Sequence, residues 1–246
     1  MRSFGRFFRR AHSLDVSPRL SVEPVLISLI SVAVGWALAQ GTAFTKDWWA
    51  ARKLLAGLIT ELEDIEAQLQ RVIVMHSRQL QVYANKGIEP AVSIPIENMF
   101  FRQYFKEAFA YLNREQRLSY QLIHSTLDTF NKKNDAIGAL LEEFHNQHTT
   151  APDEQRLLAT INVWGDQVIA AYKTAMDVRW HIAYHLRNPK RPVFDINGPM
   201  HESYLKFEQE LDDEVKLIIE KAKGIKREDF ERIYDPKSFA AKHTAG

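Results

Sequence analysis

The chain has 246 residues, 46% of them apolar and 26% charged, with a formal net charge of +1. That leaves room for one globular domain plus a membrane segment, and it excludes a field strong enough to draw the whole chain onto nucleic acid. Cysteine is absent, which excludes disulfides, thiol catalysis and Cys-ligated zinc.

Charge is uneven along the chain. Residues 1–23 form a basic tail in which Arg2, Arg6, Arg9, Arg10 and Arg19 outnumber Asp15 and Glu23, with Phe4, Phe7 and Phe8 set among them. That mixture suits a patch at headgroup level, or a disordered tail that only helps set topology. Residues 24–45, PVLISLISVAVGWALAQGTAFT, carry no charge. At about 1.5 Å per residue a helix of this length crosses a hydrocarbon core of roughly 30 Å, so the stretch predicts a single transmembrane helix. Ser28, Ser31 and Gly35 lie on one side of it, where a partner helix would pack. Trp48 and Trp49 follow as an aromatic belt. A rival reading exists. Ala37-Leu38-Ala39 has the small-x-small form of a signal-peptidase site, and cutting after Ala39 would leave an exported, soluble chain. The uncharged run continues past it through Phe44, which favours a retained anchor. Five Arg before the span against Lys46, Arg52 and Lys53 after it favour a cytoplasmic N-terminus with the domain outside. The margin is small and leaves the side open.

From Lys46 the pattern is helical. Leu55, Leu58, Leu62, Ile65, Leu69, Val72, His76, Leu80 and Tyr83 recur in threes and fours, a heptad-like, coiled-coil-type seam. Only Gly57 interrupts, so this helix and the span are read as nearly continuous. Glu61, Glu63, Asp64 and Glu66 beside the seam read as a solvent-facing acidic stripe. Asn85-Lys86-Gly87 is a helix stop, and residues 87–96, with two prolines, are an extended connector. Glu97 to Leu112 is a short helix crowded with Phe100, Phe101, Tyr104, Phe105, Phe109 and Tyr111; rings on several sides predict a core helix ahead of a partner groove or a membrane-leaning face.

Asn113-Arg-Glu-Gln116 is a capping box. The next seam runs Ile123, Leu127, Phe130, Asn134, Ile137, Leu141 and Phe144, with Asn134 a polar interruption able to set register. After a polar break, Thr150 and Pro152 read as the cap and first turn of a third long helix. Its seam is Ile161, Trp164, Val168, Ala171, Ala175, Val178, Ile182 and His185. The Pro-rich loop 188–199 is long for a helix connection, so it is functional or a spacer. The last helix, Met200 to Lys223, turns Tyr204, Phe207, Leu211, Val215 and Ile218 inward and stops at Gly224.

Candidates for chemistry are few. Asp177, His181 and His185 stand at i, i+4 and i+8 on one helical face, a spacing that suits a divalent metal. The competing reading has His185 capping the seam near a helix C-terminus, where a partly charged imidazole is favourable. Glu142 and His145 make one E-x-x-H without the second that a di-iron bundle needs, and His145 and His148 share a possible ligand spacing. No nucleophile elbow or phosphate-cradling loop occurs. The basic clusters at Lys132-Lys133, Lys190-Arg191 and Lys223 to Arg227 lack an aromatic platform, so no nucleic-acid partner is expected.

The order of elements (short N-terminus, one span, paired Trp, then AARKLLAGLITELEDIEAQL) resembles that of many small bacterial single-span proteins of unassigned function, over about residues 25–85. Some of those act as membrane effectors or subunits in phage-defence operons. The resemblance implies a span that oligomerises to perturb the bilayer, with the domain in the cytoplasm.

The sequence thus predicts an all-α protein: a single N-terminal transmembrane helix (24–45) continuing into a long-helix bundle of four-helix type (46–224), with a polar C-terminal tail (225–246). The expected function is that of a non-enzymatic scaffold in a bacterial inner membrane, single-pass, whose partners are the lipid bilayer and a protein or a second copy of itself. No cofactor is expected. The alternatives are the membrane effector and a His/Asp metal-binding bundle.

Overall fold

The computed structural model describes residues 22–148 and 154–225, with side chains from 26 to 146 and from 154 to 225. The tail up to residue 21, the assignments at Thr150 and Pro152, the His148 side chain and the tail beyond 225 lie outside the described residues. Five helices follow in order: α1 (Val22–Ala84), α2 (Met99–Ala108), α3 (Arg114–His148), α4 (Glu154–Arg187) and α5 (Pro199–Lys223). The described residues contain no strand, so the chain is all-α. Helix α1 has no break over its 63 residues; residues up to Ala50 and from Ala51 belong to two separate compact units.

In the first unit α1 is long and apolar enough to cross a membrane, with mean hydropathy 1.6 over its most apolar window and none of that window buried. Three of its hydroxyls serve its own backbone: Ser31 donates to the Ile27 carbonyl, Thr42 to Ala39 and Thr45 to Thr42.

In the second unit the predicted seams form one core. Leu58, Leu62, Ile65, Leu69 and Leu80 of α1 pack with Ile123, Leu127, Phe130 and Ile137 of α3, and with Trp164, Val168, Ala171, Ala175, Val178 and Ile182 of α4. Cross-contacts give the directions. His124 faces Glu61 and Asn134 faces His76, so α3 runs parallel to α1. His185 meets Ser119 and Arg179 faces Glu66, so α4 runs antiparallel to both. Tyr172 bonds Glu214, and the Asn85 amide donates to Ala222 O, so α5 returns parallel to α1. The descending element between α1 and α3 is only partly helical: the connector makes the first part and α2 the rest.

That connector is extended because side chains occupy its backbone. Gln79 donates to Ala91 O at 2.6 Å, and Arg78 pairs with Glu89 at 2.8 Å. The Asn131 amide accepts from Ile96 N–H and donates to Ile96 C=O, as a strand partner would. The capping box closes as predicted: Gln116 N–H donates to Asn113 Oδ1 at 2.8 Å, and Asn113 N–H to Gln116 Oε1 at 3.0 Å. The helix stop falls at Ala84, with Lys86, not Gly87, in the left-handed region at φ 56°.

Two expectations need correction. Helix α2 joins the core by one face only, through Ala108 and the sides of Phe100, Phe101 and Phe105. It is 10 residues long and buries only Ala108; Phe100, Phe101, Tyr104 and Phe105 are half-buried, and Phe109 and Tyr111 are exposed. A helix so short, laid over the α1–α3 pair, has one face to bury, and rings on its other sides stay in solvent. The acidic run is also not uniformly solvated. Glu63 and Asp64 are exposed, but Glu61 is buried and Glu66 half-buried toward Arg179 at 3.9 Å.

Candidate functional site

Two features stand apart from ordinary packing: the bare apolar half of α1, and a set of buried polar groups in the second unit. On α1, Leu29, Val32, Trp36, Leu38 and Phe44 are each more than 60% exposed, and no charge intervenes between Glu23 and Lys46. A run of this kind in water carries an unfavourable transfer free energy at every side chain, about 1.5–3 kcal/mol each. Ser28, Ser31 and Gly35 do share a side, but the Ser31 hydroxyl is already satisfied by Ile27 O.

The buried polar groups begin with Glu61. Its carboxylate crosses from α1 to the start of α2, where Phe100 N–H donates to Oε1 at 2.7 Å and Phe101 N–H to Oε2 at 2.9 Å. Asn98 sits at the N-cap position but makes no side-chain cap, so a distant carboxylate does the work that a local Ser or Asp usually does. Negative charge at that end also meets the positive end of the helix dipole. Burial pushes the Glu61 pKa up; the two N–H donors oppose it. His124 lies with Nε2 3.8 Å from Glu61 Oε2, and its ring stacks on Phe101 with centroids 3.7 Å apart. Asn98 Nδ2–H donates to His124 Nδ1 at 3.2 Å, which leaves the proton on Nε2, facing Glu61. The pair is not ionic: burial, aided by Arg102 and His185, lowers the His124 pKa to about 3.

A second relay ties α1, α3 and the connector. His76 Nδ1–H donates to Gln79 Oε1 at 2.7 Å, and the Asn134 amide lies 3.1 Å from His76 Nε2. Burial lowers the His76 pKa; a neutral ring offers only an acceptor at Nε2, so Asn134 presents its NH2 there. Asn134 is therefore a registering residue whose partner is a side chain on α1.

The face of Asp177, His181 and His185 exists, but its members turn to different partners. Tyr204 of α5 gathers the first two: its hydroxyl donates to Asp177 Oδ1 at 3.4 Å and its ring stacks on His181. Burial, then the nearby Glu208, raises the Asp177 pKa to about 6. His185 faces α3 instead, with Nδ1 2.7 Å from Ser119 Oγ and its ring on Tyr120. The idea of a partly charged His185 is corrected: burial lowers its pKa, like that of His181, to about 4. Desolvation outweighs the helix C-terminus there. Among the described residues no group of three or more His, Asp or Glu is placed to hold a metal ion. Glu142 and His145 are both exposed near the end of α3.

A shallow groove of about 430 Å³ opens along α2, lined by Phe101, Phe105 and Phe109 with Arg102 and Lys106 at its edge. Sequence reasoning missed Glu61, His124 and Asn98 as one unit. The only local hint was a helix start at Asn98 with no carboxylate or hydroxyl at the following positions to cap it. No family model, curated protein or solved structure matches the chain.

Proposed function

We propose that the chain is a membrane-anchored helical interaction protein, held in a bacterial inner membrane by α1 as a single retained span and presenting the 51–225 bundle to a protein partner or a second copy of itself. One observation carries this reading: the first half of α1 exposes an uninterrupted apolar surface that nothing in the chain covers among the described residues. Lipid is the solvent in which such a surface is stable without a cover, since every backbone group is satisfied within the helix. The paired Trp48 and Trp49, ring centroids 5.5 Å apart, stand at the end of the apolar run as interfacial anchors do. The four buried histidines, His76, His124, His181 and His185, each contact a neighbouring element, which supports a structural use of them.

The test is extraction. Membranes from cells making the full chain are washed with alkaline carbonate and centrifuged, and the N-terminus of the purified protein is sequenced. The expected result is a pelleted chain that keeps residues before Gln40 and yields a crosslinked adduct in intact membranes. A chain in the supernatant, or one that begins at Gln40, overturns the anchor; a chain that crosslinks to nothing overturns the interaction role.

A further inference from the structure

We propose that the end of the bundle at which α1 enters is a docking surface for anionic lipid headgroups; this rests on the anchoring reading above. Parallel α1 and α3 set the level: Arg114 precedes His124 by as many residues as Ala51 precedes Glu61, and His124 and Glu61 face each other. The α2–α3 turn reaches that level, and so does the end of α4. Asn113 donates to Lys190 O at 2.6 Å and Gln116 to Pro189 O at 2.7 Å, which ties the two corners together.

The charge at this end is one-sided. Residues 51–55, 105–118 and 185–191 hold eight basic and two acidic side chains. At the opposite end, residues 81–89, 139–146, 154–160 and 216–223 hold five of each. Lys106, Arg114, Lys190 and Arg191 are exposed, and Arg117 is held over the Phe109 ring, 4.3 Å from its centroid. Phe109, Tyr111 and Leu118 are exposed among these cations, at 42%, 48% and 47%. Basic groups with interspersed aromatic rings are the chemistry of an interfacial membrane contact. Single-stranded nucleic acid uses similar parts, but the unit that carries this surface begins at Ala51, two residues after the Trp48-Trp49 pair that follows the apolar run. Chain connectivity therefore tethers this unit at the membrane that the anchoring reading gives it.

The absence of cysteine makes the test clean. Tyr111→Cys at the basic end and Leu217→Cys on α5 are made separately in the full chain and labelled with a fluorophore. Each is reconstituted into vesicles of phosphatidylcholine alone or mixed with phosphatidylglycerol, with a headgroup-borne quencher. The label at 111 is expected to be quenched in the anionic vesicles, and the quenching to fall as salt rises; the label at 217 stays bright. Each basic side chain near an anionic surface is worth about a fivefold change in the docked-to-free ratio. Arg114→Glu, Lys190→Glu and Arg191→Glu together therefore reduce it about a hundredfold or more, with an unchanged circular dichroism spectrum. Equal quenching at 111 in both lipids, or insensitivity to both salt and the triple substitution, overturns the docking surface while leaving the anchor intact. Failure of the chain to float with either vesicle removes the anchor itself. Retention of the detergent-solubilised chain on single-stranded DNA, lost on triple substitution and paired with no lipid dependence, would assign the surface to nucleic acid and overturn the proposal.

Discussion

At the residue scale the informative group is Glu61. Its carboxylate satisfies two N–H groups that α2 would otherwise leave open. Burial nevertheless penalises the charge, as the raised pKa shows. The two effects separate by substitution. Glu61→Ala strands both donors and is expected to cost about 2–3 kcal/mol. Glu61→Gln keeps one acceptor and sheds the buried charge, and is expected to cost less than about 1 kcal/mol. Denaturant midpoints measure both, and hydrogen exchange at the Phe100 and Phe101 amides shows whether α2 has lost its start. Asp177 gives a test with a definite pH sign. Its pKa rises from 3.8 unfolded to about 6 folded, so stability present at low pH is lost as pH rises through about 6. Asp177→Asn keeps an acceptor for Tyr204. Discounted for partial exposure, it is expected to stabilise by about 1 kcal/mol at pH 8, with no advantage at pH 4. Unfolding curves at the two pH values check it; a variant with no pH-dependent gain contradicts the assignment.

At the element scale two helical glycines act as sockets. A Cβ at Gly165 of α4 would overlap the Tyr83 ring of α1, and one at Gly57 of α1 would overlap the Phe100 ring of α2. Alanine gains about 1 kcal/mol in helix propensity at either place, while overpacking costs about 1–3 kcal/mol. Gly165 is buried, so the Tyr83 ring has little room and the steric cost wins: Gly165→Ala is expected to destabilise by about 1 kcal/mol. Gly57 lies under a half-buried ring on a short helix that moves outward more easily, so Gly57→Ala is expected to be close to neutral. Melting of the two variants side by side decides the order. The same scale explains why the descending element is part connector: Pro90 and Pro95, between Gly87 and Asn98, deny a helix two of its N–H donors and clash with its preceding turn. Asn131 and Gln79 then supply partners for the extended backbone.

At the scale of the whole bundle, acid is the weak direction. His76, His124, His181 and His185 are buried, and burial lowers the pKa of each. Below about pH 6.5 the unfolded chain takes up protons on these rings while the folded one does not. The unfolded state thus binds more protons, and stability falls as pH falls. Asp177 and Glu61 act in the opposite sense, but they are two against four. The bundle of the full chain in detergent is expected to lose on the order of 4 kcal/mol between about pH 7 and pH 5, a large part of the usual 5–15 kcal/mol. Urea unfolding followed by near-ultraviolet dichroism at the two pH values measures it; a midpoint that does not move shows the rings to be solvated.

Much of this fold was legible from local spacing. The seams on α1, α3 and α4 were predicted residue by residue, and those of α4 are buried throughout, because the period of apolar side chains is a property of one helix alone. The stop at Asn85-Lys86-Gly87 and the Asn113–Gln116 box were legible for the same reason: their bonds span three to five residues. The uncharged run that reads as a span is likewise local. What tertiary structure alone decided is where each polar group goes. Glu61 looks like any helical carboxylate until α2, some forty residues later, brings it two open N–H groups. His185 looks like a cation at a helix end until α3 covers it, and the rings of α2 look like core until the helix proves too short to be surrounded. Apolar periodicity acts over one turn, whereas burial of a charge depends on neighbours that the chain supplies from elsewhere.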